Sequence, residues 1–345
     1  MTTFVFPTTA MHIEELVAYQ RIADDVSLDE GVASAVRAGL LSEPKRLPPW
    51  LFYDAAGSRL FDEITERPEY YLTRTERCIF ADHADAMIGR AADKARLRIT
   101  ELGAGSADKT RLLLKSAVTQ QGMVVYEPLD VSASALEAAR VRIEQEIGGV
   151  CVAPQVMDYT QGNGHGLELM PTEAGERRLV LYIGSSIGNF DPPEAMRLLR
   201  RVRGGLRCGD GLLIGVDLVK DEETLLAAYD DVAGVTAEFN LNLLTRLNRE
   251  LGAGFDLESF AHRAIWNQAE SRIEMHLESR IAQRVRLEAL DLEVEFAEGE
   301  TIHTENSYKY RPGLVEEMLA EAGFAAAGSW TDERGWFEVC LGRAE

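Results

Sequence analysis

Between residues 96 and 219, apolar runs alternate with helical segments, and this alternation limits the possible folds more than any other feature. "RLRITEL" (96–102), "MVVYEPLD" (123–130), "GVCVAPQVMDY" (149–159), "RLVLYIGSSIGNF" (178–190) and "GLLIGVDLV" (211–219) read as strands. "ADKTRLLLKSA", "SASALEAARVRIEQEI" with Ser132 as its cap, and "PPEAMRLLRRVRGGL" read as helices between them. Such alternation implies an α/β fold: a parallel sheet with helices on both faces. "LVLYIG" and "LLIGV" are nearly all apolar, as strands buried on both faces must be.

After Lys220 the pattern changes. Helical stretches at 222–231 and 234–251 precede β-rich stretches with polar alternation, "RIEMHLESR", "QRVRLEALDLEVEFAEG" and "TIHTENSYKYR". The helix "GLVEEMLAEAGF" and the strands "AAAGSW" and "WFEVCLG" close the chain. This predicts an α/β core with a second unit inserted before its last strands. Ahead of the core, residues 1–15 read as a loose extension and 16–45 as helices. Phe52, Tyr53, Tyr70 and Tyr71 then form an aromatic group, either a packed lid or a binding wall.

The first strand runs into "ELGAGSADKTR". In open α/β sheets this turn is the usual ligand site. A phosphate-binding loop would end in Gly-Lys-Ser/Thr, but here Asp108 precedes Lys109 and Thr110. A dinucleotide turn would be G-x-G-x-x-G, and residues 103–108 lack the last glycine. Glu101 and Asp108 flank the turn and would repel a triphosphate. They suit S-adenosylmethionine, whose sulfonium and ammonium are positive. Glu127 or Asp130 ends the second strand, where a ribose wants a carboxylate, and Asp158 ends the third, near an adenine amino group. "NFDPPE" approaches the [DN]-P-P-aromatic turn of nucleic-acid amino-methyltransferases, but Glu194 replaces the aromatic, so the likeness is read as accidental. Asn189 beside it is either a plain turn residue or an amide facing the acceptor.

The formal net charge of −21 argues against nucleic acid and anionic membranes as partners. Four separated cysteines and six scattered histidines show no metal spacing and no disulfide framework. No apolar run is long enough to span a bilayer, and the N-terminus lacks a signal-peptide pattern, so a cytoplasmic protein is expected.

"LPPWLFYDAAGSRLFDEITERPEYYLTRTE", "ELGAGSADKTR", "YIGSSIGNF", "VDLVKD", "AYDDVAGVTAEFN", "RIEMHLESR" and "ALDLEVEFAEGE" together resemble the L-histidine Nα-methyltransferases of ergothioneine biosynthesis. The resemblance runs from about residue 30 to the C-terminus. It implies a Rossmann-like class I methyltransferase core with an inserted α+β substrate-binding domain. The implied division is 1–77 (N-terminal helical part of the substrate domain), 78–217 (core), 218–308 (insertion) and 309–345 (last core helix and strands). It further implies S-adenosylmethionine as methyl donor, no metal, and L-histidine as substrate, carried to the trimethylated betaine hercynine by a monomer. Gly103, Lys109, Asp130, Asp158 and Tyr159 fall on cofactor-binding positions. Tyr71, Asn189 and Tyr229 fall on positions holding the acceptor's carboxylate and amine. Glu305 and Ser307 fall on the pair that reads the imidazole, and Met275 lines that pocket. Tyr53 and Tyr71 are the aromatic faces expected to steady a growing quaternary ammonium, and with Asn189 they are the expected catalytic set. Another acceptor amine, such as a tryptophan or tyrosine derivative, is the alternative within this class. A non-catalytic S-adenosylmethionine-binding protein is the alternative outside it.

Overall fold

The computed structural model describes residues 30–345 apart from Ser106 and residues 161–165. The expected N-terminal extension and the first expected helix lie outside the described residues.

The core is an eight-stranded sheet. Its strands are β1 (Arg96–Leu102), β2 (Val124–Asp130), β3 (Val150–Val152), β4 (Gln155–Val156), β5 (Glu176–Tyr182), β6 (Gly211–Asp217), β12 (Phe324–Thr331) and β13 (Phe337–Ala344). The order is β12-β13-β6-β5-β1-β2-β3, with β4 also paired to β2. β1 lies between β2 and β5, parallel to both, with Ile99 opposite Tyr126 and Leu179. The strand order reverses there, so the crevice at the carboxyl ends of β1 and β5 is the place for a ligand. β13 runs antiparallel between β6 and β12.

Several helices begin where side-chain acceptors meet free N–H groups. Ser132 accepts from Ala135 N to open α5 (Ala133–Glu146), as expected. Asp191 and Glu194 form a reciprocal capping box at the start of α6 (Pro192–Gly204), with Pro192 in the first turn. "DPPE" is thus a helix start, which accounts for its chance likeness to a base-gripping turn.

Two expected strands are shorter than their apolar runs. Pro154 cannot donate to a ladder, so residues 149–159 break into β3 and β4. β5 stops at Tyr182. Gly184 (φ 80°) and Ser185 (φ 60°) then turn the chain into a 3-10 segment, Ser186–Asn189.

The insertion holds α7 (Glu222–Ala227), α8 (Val235–Leu251), an antiparallel three-stranded sheet, and the hairpin of β9 (Gln283–Leu287) and β10 (Leu292–Phe296). β7 (Phe260–Asn267) pairs along all of β8 (Arg272–Ser279), which pairs with β11 (Thr301–Tyr308). "FAHRAIWN" has no clean alternation and does not read as a strand in sequence. The N-terminal segment packs on this insertion. Phe52 stacks on Phe239 of α8 at 4.5 Å, and Asp54, which caps α2 (Ala55–Thr65), accepts from Asn242 at 3.0 Å. α3 (Tyr71–Ala92) runs unbroken through 77/78 and packs on α4 (Thr110–Gln121) and β13. Among the described residues no helix is long and apolar enough to cross a membrane.

Candidate functional site

Two neighbouring features occupy the carboxyl ends of the core strands. The first is the turn after β1. Gly103 and Gly105 sit at φ 66° and 49°, and a Cβ on Gly103 would lie 2.9 Å from the Tyr159 hydroxyl. Gly105 N donates to Asp130 Oδ2 at 3.2 Å and Ser132 N to Oδ1 at 2.9 Å, which aims the Asp130 carboxylate across the turn. Asp158 is exposed one strand further on and accepts from Thr160 N at 2.9 Å. Tyr159 packs edge-on against Tyr182, and burial pushes its phenol up to about 12. Lys109 reaches the other side of the turn, where it meets Glu76 at 2.5 Å. Glu76 is fully buried and also accepts from Gly184 N at 2.8 Å, so it ties α3 to both β-strand turns.

Three of the acids expected at the turn are engaged elsewhere. Glu101 does not face the turn. It is buried, bonded twice by Thr110 Oγ1 (2.8 and 2.7 Å) and by Tyr126 Oη, and burial pushes it up to about 7. Asp108 is paired with Arg77 and Arg111. Glu127 is locked inside the sheet by Arg98, Arg178 and Thr100. Of the acids in the argument, Asp130 and Asp158 remain at the cleft. Both accept bonds with oxygens that keep further lone pairs, as ribose hydroxyls and an adenine amine require.

The second feature is a cavity between core and insertion. Its aromatic wall is Tyr53, Phe61, Tyr70, Tyr229 and Phe239, with Met275 and Ile64 filling gaps. Tyr53 stands 5.8 Å from Phe61 and 6.0 Å from Phe239, both edge-on, and Tyr70 stands 6.3 Å from Tyr229. The polar lining is Ser185, Ser186 and Asn189 from the turn after β5, Thr236 from α8, and Glu305 and Ser307 from β11. Thr236 Oγ1 is buried without a hydrogen-bond partner. The two surfaces meet at Gly188, where a Cβ would lie 2.9 Å from Tyr308 O. Only glycine lets β11 lie this close to the turn carrying Asn189. Glu305 and Ser307, two apart on an extended strand, face the same side. Burial pushes the Glu305 carboxyl up to about 7, against the pull of the Lys309 ammonium. Ser307 Oγ and Tyr229 Oη are 2.6 Å apart.

Tyr53, Asn189, Tyr229, Met275, Glu305 and Ser307 thus line one cavity. Tyr71 does not. Its hydroxyl donates to Asp217 at 2.6 Å and accepts from Lys220 at 2.8 Å, and its ring lies against Trp336. Tyr70 takes the cavity position expected of Tyr71. Tyr70 is the cap residue before α3, and Tyr71 is the first helical residue, so neighbouring rings diverge. Two adjacent tyrosines carry no sequence signal that tells them apart. Phe61, Phe239 and Thr236 were also not picked out: they lie on helices, where an apolar stripe reads equally well as core. The fold gathers Glu274, His276 and His303 despite their scattered spacing. Glu274 is held by Arg272 and Asn267 and pairs with His276 Nε2 at 3.0 Å, and the two imidazoles stack at 4.8 Å.

A family model described as "Histidine-specific methyltransferase, SAM-dependent" matches residues 32–344. A histidine N-alpha-methyltransferase of Mycolicibacterium smegmatis is 45% identical over 91% of this chain and 95% of its own. One of Mycobacterium tuberculosis is 44% identical over 89% of this chain and 92% of its own. Ergothioneine biosynthesis protein 1 of Neurospora crassa is 28% identical over 92% of this chain and 35% of its own length.

Proposed function

The chain belongs to the histidine-specific, S-adenosylmethionine-dependent methyltransferase family, and from that premise we propose that it methylates the α-amino group of L-histidine, through to the trimethylated betaine hercynine. The observation that carries the reading is the cavity itself. One wall offers a carboxyl and a hydroxyl to a ring nitrogen, another offers neutral donors for a carboxylate, and the rest is aromatic.

S-adenosylmethionine supplies a methyl carbon on positive sulfur, which an unprotonated amine displaces in line. That carbon is already electrophilic, so the chemistry requires no metal. Gly103, Asp130, Asp158 and Tyr159 are the residues we assign to holding the donor, with Lys109 fixed by Glu76 at the edge of the turn. Asn189, Tyr70 and Tyr229 hold the amino acid's carboxylate and amine. Neutral donors suit this task, because a cation in direct contact would oppose the positive methyl donor. The α-amino group loses its proton near pH 8 in model compounds, so orientation, worth ~7–11 kcal/mol in favourable cases, carries most of the catalysis. The faces of Tyr53, Phe61 and Tyr70 favour a quaternary ammonium as methyl groups accumulate. Glu305 and Ser307 bond the imidazole, and Met275 closes the pocket beside it. The reading takes the protein as a cytoplasmic monomer acting on a free amino acid, without nucleic acid or membrane.

Mass spectrometry after incubation with S-adenosylmethionine and all twenty amino acids tests this. A histidine product heavier by three methyl groups is expected. Methylation of tryptophan or tyrosine in its place overturns the choice of acceptor, and no product from any amino acid overturns the catalytic reading.

A further inference from the structure

Behind the cavity wall lies a buried ionic cluster. Lys309 is 3% exposed, and its ammonium reaches three oxygens: Asp217 Oδ2 at 2.8 Å, Tyr229 Oη at 2.9 Å and Ser307 Oγ at 2.9 Å. A lysine ammonium has three hydrogens and accepts nothing, so all three are spent. The hydroxyls of Tyr229 and Ser307 therefore cannot donate to Lys309. They are bonded to each other, which consumes one of their two hydrogens. The other has no protein acceptor among the described hydrogen bonds and is left for the cavity that both side chains line.

We propose that Lys309 is a positioning residue: held by Asp217, it leaves the paired Tyr229 and Ser307 hydroxyls one hydrogen that can only be donated toward the cavity, and so selects an amino acid that offers an acceptor atom there. This rests on the amino-acid reading of the cavity above. The acceptor is the α-carboxylate when Tyr229 carries the free hydrogen, or an unprotonated ring nitrogen when Ser307 carries it. Asp217 is essential to the arrangement. A bare lysine behind the wall would oppose a cationic methyl donor, and Asp217, which holds the ammonium in place, offsets part of that charge. The ammonium also sits 4.6 Å from the Tyr229 ring centroid and steadies that ring.

The plain alternative is that Lys309 only neutralises Asp217. Lys220 provides the control. It pairs with the same carboxylate at 2.5 Å and lies 4.4 Å from the Tyr71 ring, but no bond joins it to Tyr229 or Ser307. Removing either lysine leaves Asp217 with the other lysine and Tyr71. A purely structural role predicts similar effects from both.

The experiment compares Lys309→Met with Lys220→Met, using whichever amino acid the parent protein turns over. Lys309→Met is expected to raise the amino-acid KM by roughly 10-fold or more, as weakening bonds to a charged ligand does, with the KM for S-adenosylmethionine little changed. Lys220→Met is expected to leave both constants close to the parent's. A second readout is pH. Glu305 faces Tyr53, Tyr70 and Tyr229 across the cavity, and the charge that acts on it is Lys309, just past the end of its own strand. The acid limb of kcat/KM should move to higher pH in Lys309→Met and stay in place in Lys220→Met. Should Lys309→Met not fold, Lys309→Gln keeps donor hydrogens without charge, and a smaller split of the same sign is expected. Equal kinetic changes in the two lysine variants, or a changed melting temperature alone, overturn the inference. A parent that turns over another amino acid overturns only the choice of histidine. A parent that binds no amino acid overturns both.

Discussion

Replacing Glu305 by Gln should make the protein more stable and a worse enzyme at once. Its carboxyl lines the cavity, meets no side-chain donor among the described residues, and is pushed by burial from 4.5 to about 7. That is a shift of about 7 − 4.5 = 2.5 units, or at most about 3.4 kcal/mol at 1.36 kcal/mol per unit. Water in the open cavity lowers this, so about 1–3 kcal/mol is the working range. The sign follows from linkage. A carboxyl whose folded value is raised binds its proton more tightly in the folded state. The cost of ionising it is therefore absent below pH 4.5, grows between 4.5 and 7, and is full above 7. Glu305→Gln should thus melt roughly 1–4 °C higher than the parent at pH 8, for an unfolding entropy of about 2.1 cal/mol/K per residue. At pH 5.5 the gain should shrink to roughly half or less. Glu101 is also raised to about 7, but it is present in both proteins and cancels in the difference. Histidine kcat/KM should fall by roughly 10-fold through loss of a charge-assisted bond to the ring. Differential scanning calorimetry at the two pH values and steady-state kinetics at pH 8 make the test. A variant no more stable than the parent at pH 8 would show that Glu305 is not held at a cost. A more stable variant with unchanged histidine turnover would show that the cost serves something other than the ring.

Tyr70→Phe and Tyr71→Phe should separate function from stability. The first should raise the histidine KM with little change in melting temperature. The second leaves a buried Asp217 oxygen short of a donor and should cost about 1–3 kcal/mol in denaturant melts; the reverse outcome would return Tyr71 to the cavity. Gly103→Ala places a Cβ 2.9 Å from the Tyr159 hydroxyl at φ 66° and should weaken S-adenosylmethionine binding in calorimetry by ~10-fold, since left-handed strain alone costs ~1–2 kcal/mol. Adding Tyr159→Phe should recover part of that loss, and unchanged affinity in Gly103→Ala would place the donor elsewhere. Gly188→Ala meets main-chain atoms of Tyr308, which cannot rotate away, and should cost about 1–3 kcal/mol while raising the histidine KM; a variant with parental stability and kinetics would show that β11 and the Asn189 turn are not coupled.

Much of the architecture is local and so was legible in the chain. Strand and helix periods, the Ser132 cap and the glycine turn after β1 depend on residues within a few positions of one another, and the apolar runs of β5 and β6 announce burial on both faces. The long motifs that resemble histidine methyltransferases carried the family in the same way. The site was legible only in part. Asn189, Tyr229, Glu305 and Ser307 were expected together and line one cavity, yet the acids beside the glycine turn were misjudged. Glu101, Asp108 and Glu127 stand at promising positions in sequence, but their partners Tyr126, Arg77 and Arg178 come from other elements. Tyr70 and Tyr71 divide between cavity and core by the rotation of one residue at a helix start. Lys309 and Asp217 are 92 residues apart and become a pair only where the end of β11 crosses the end of β6. Periodicity reports which face of an element is apolar, because that depends on the element alone. Whether a charge is free, neutralised or buried depends on what faces it, and burial and pairing change its energy by more than its chemical identity does. For this chain those two quantities were set by contacts among the core's own elements at Glu101, Asp108 and Glu127, and by the packing of the insertion against the core at Glu305 and Lys309.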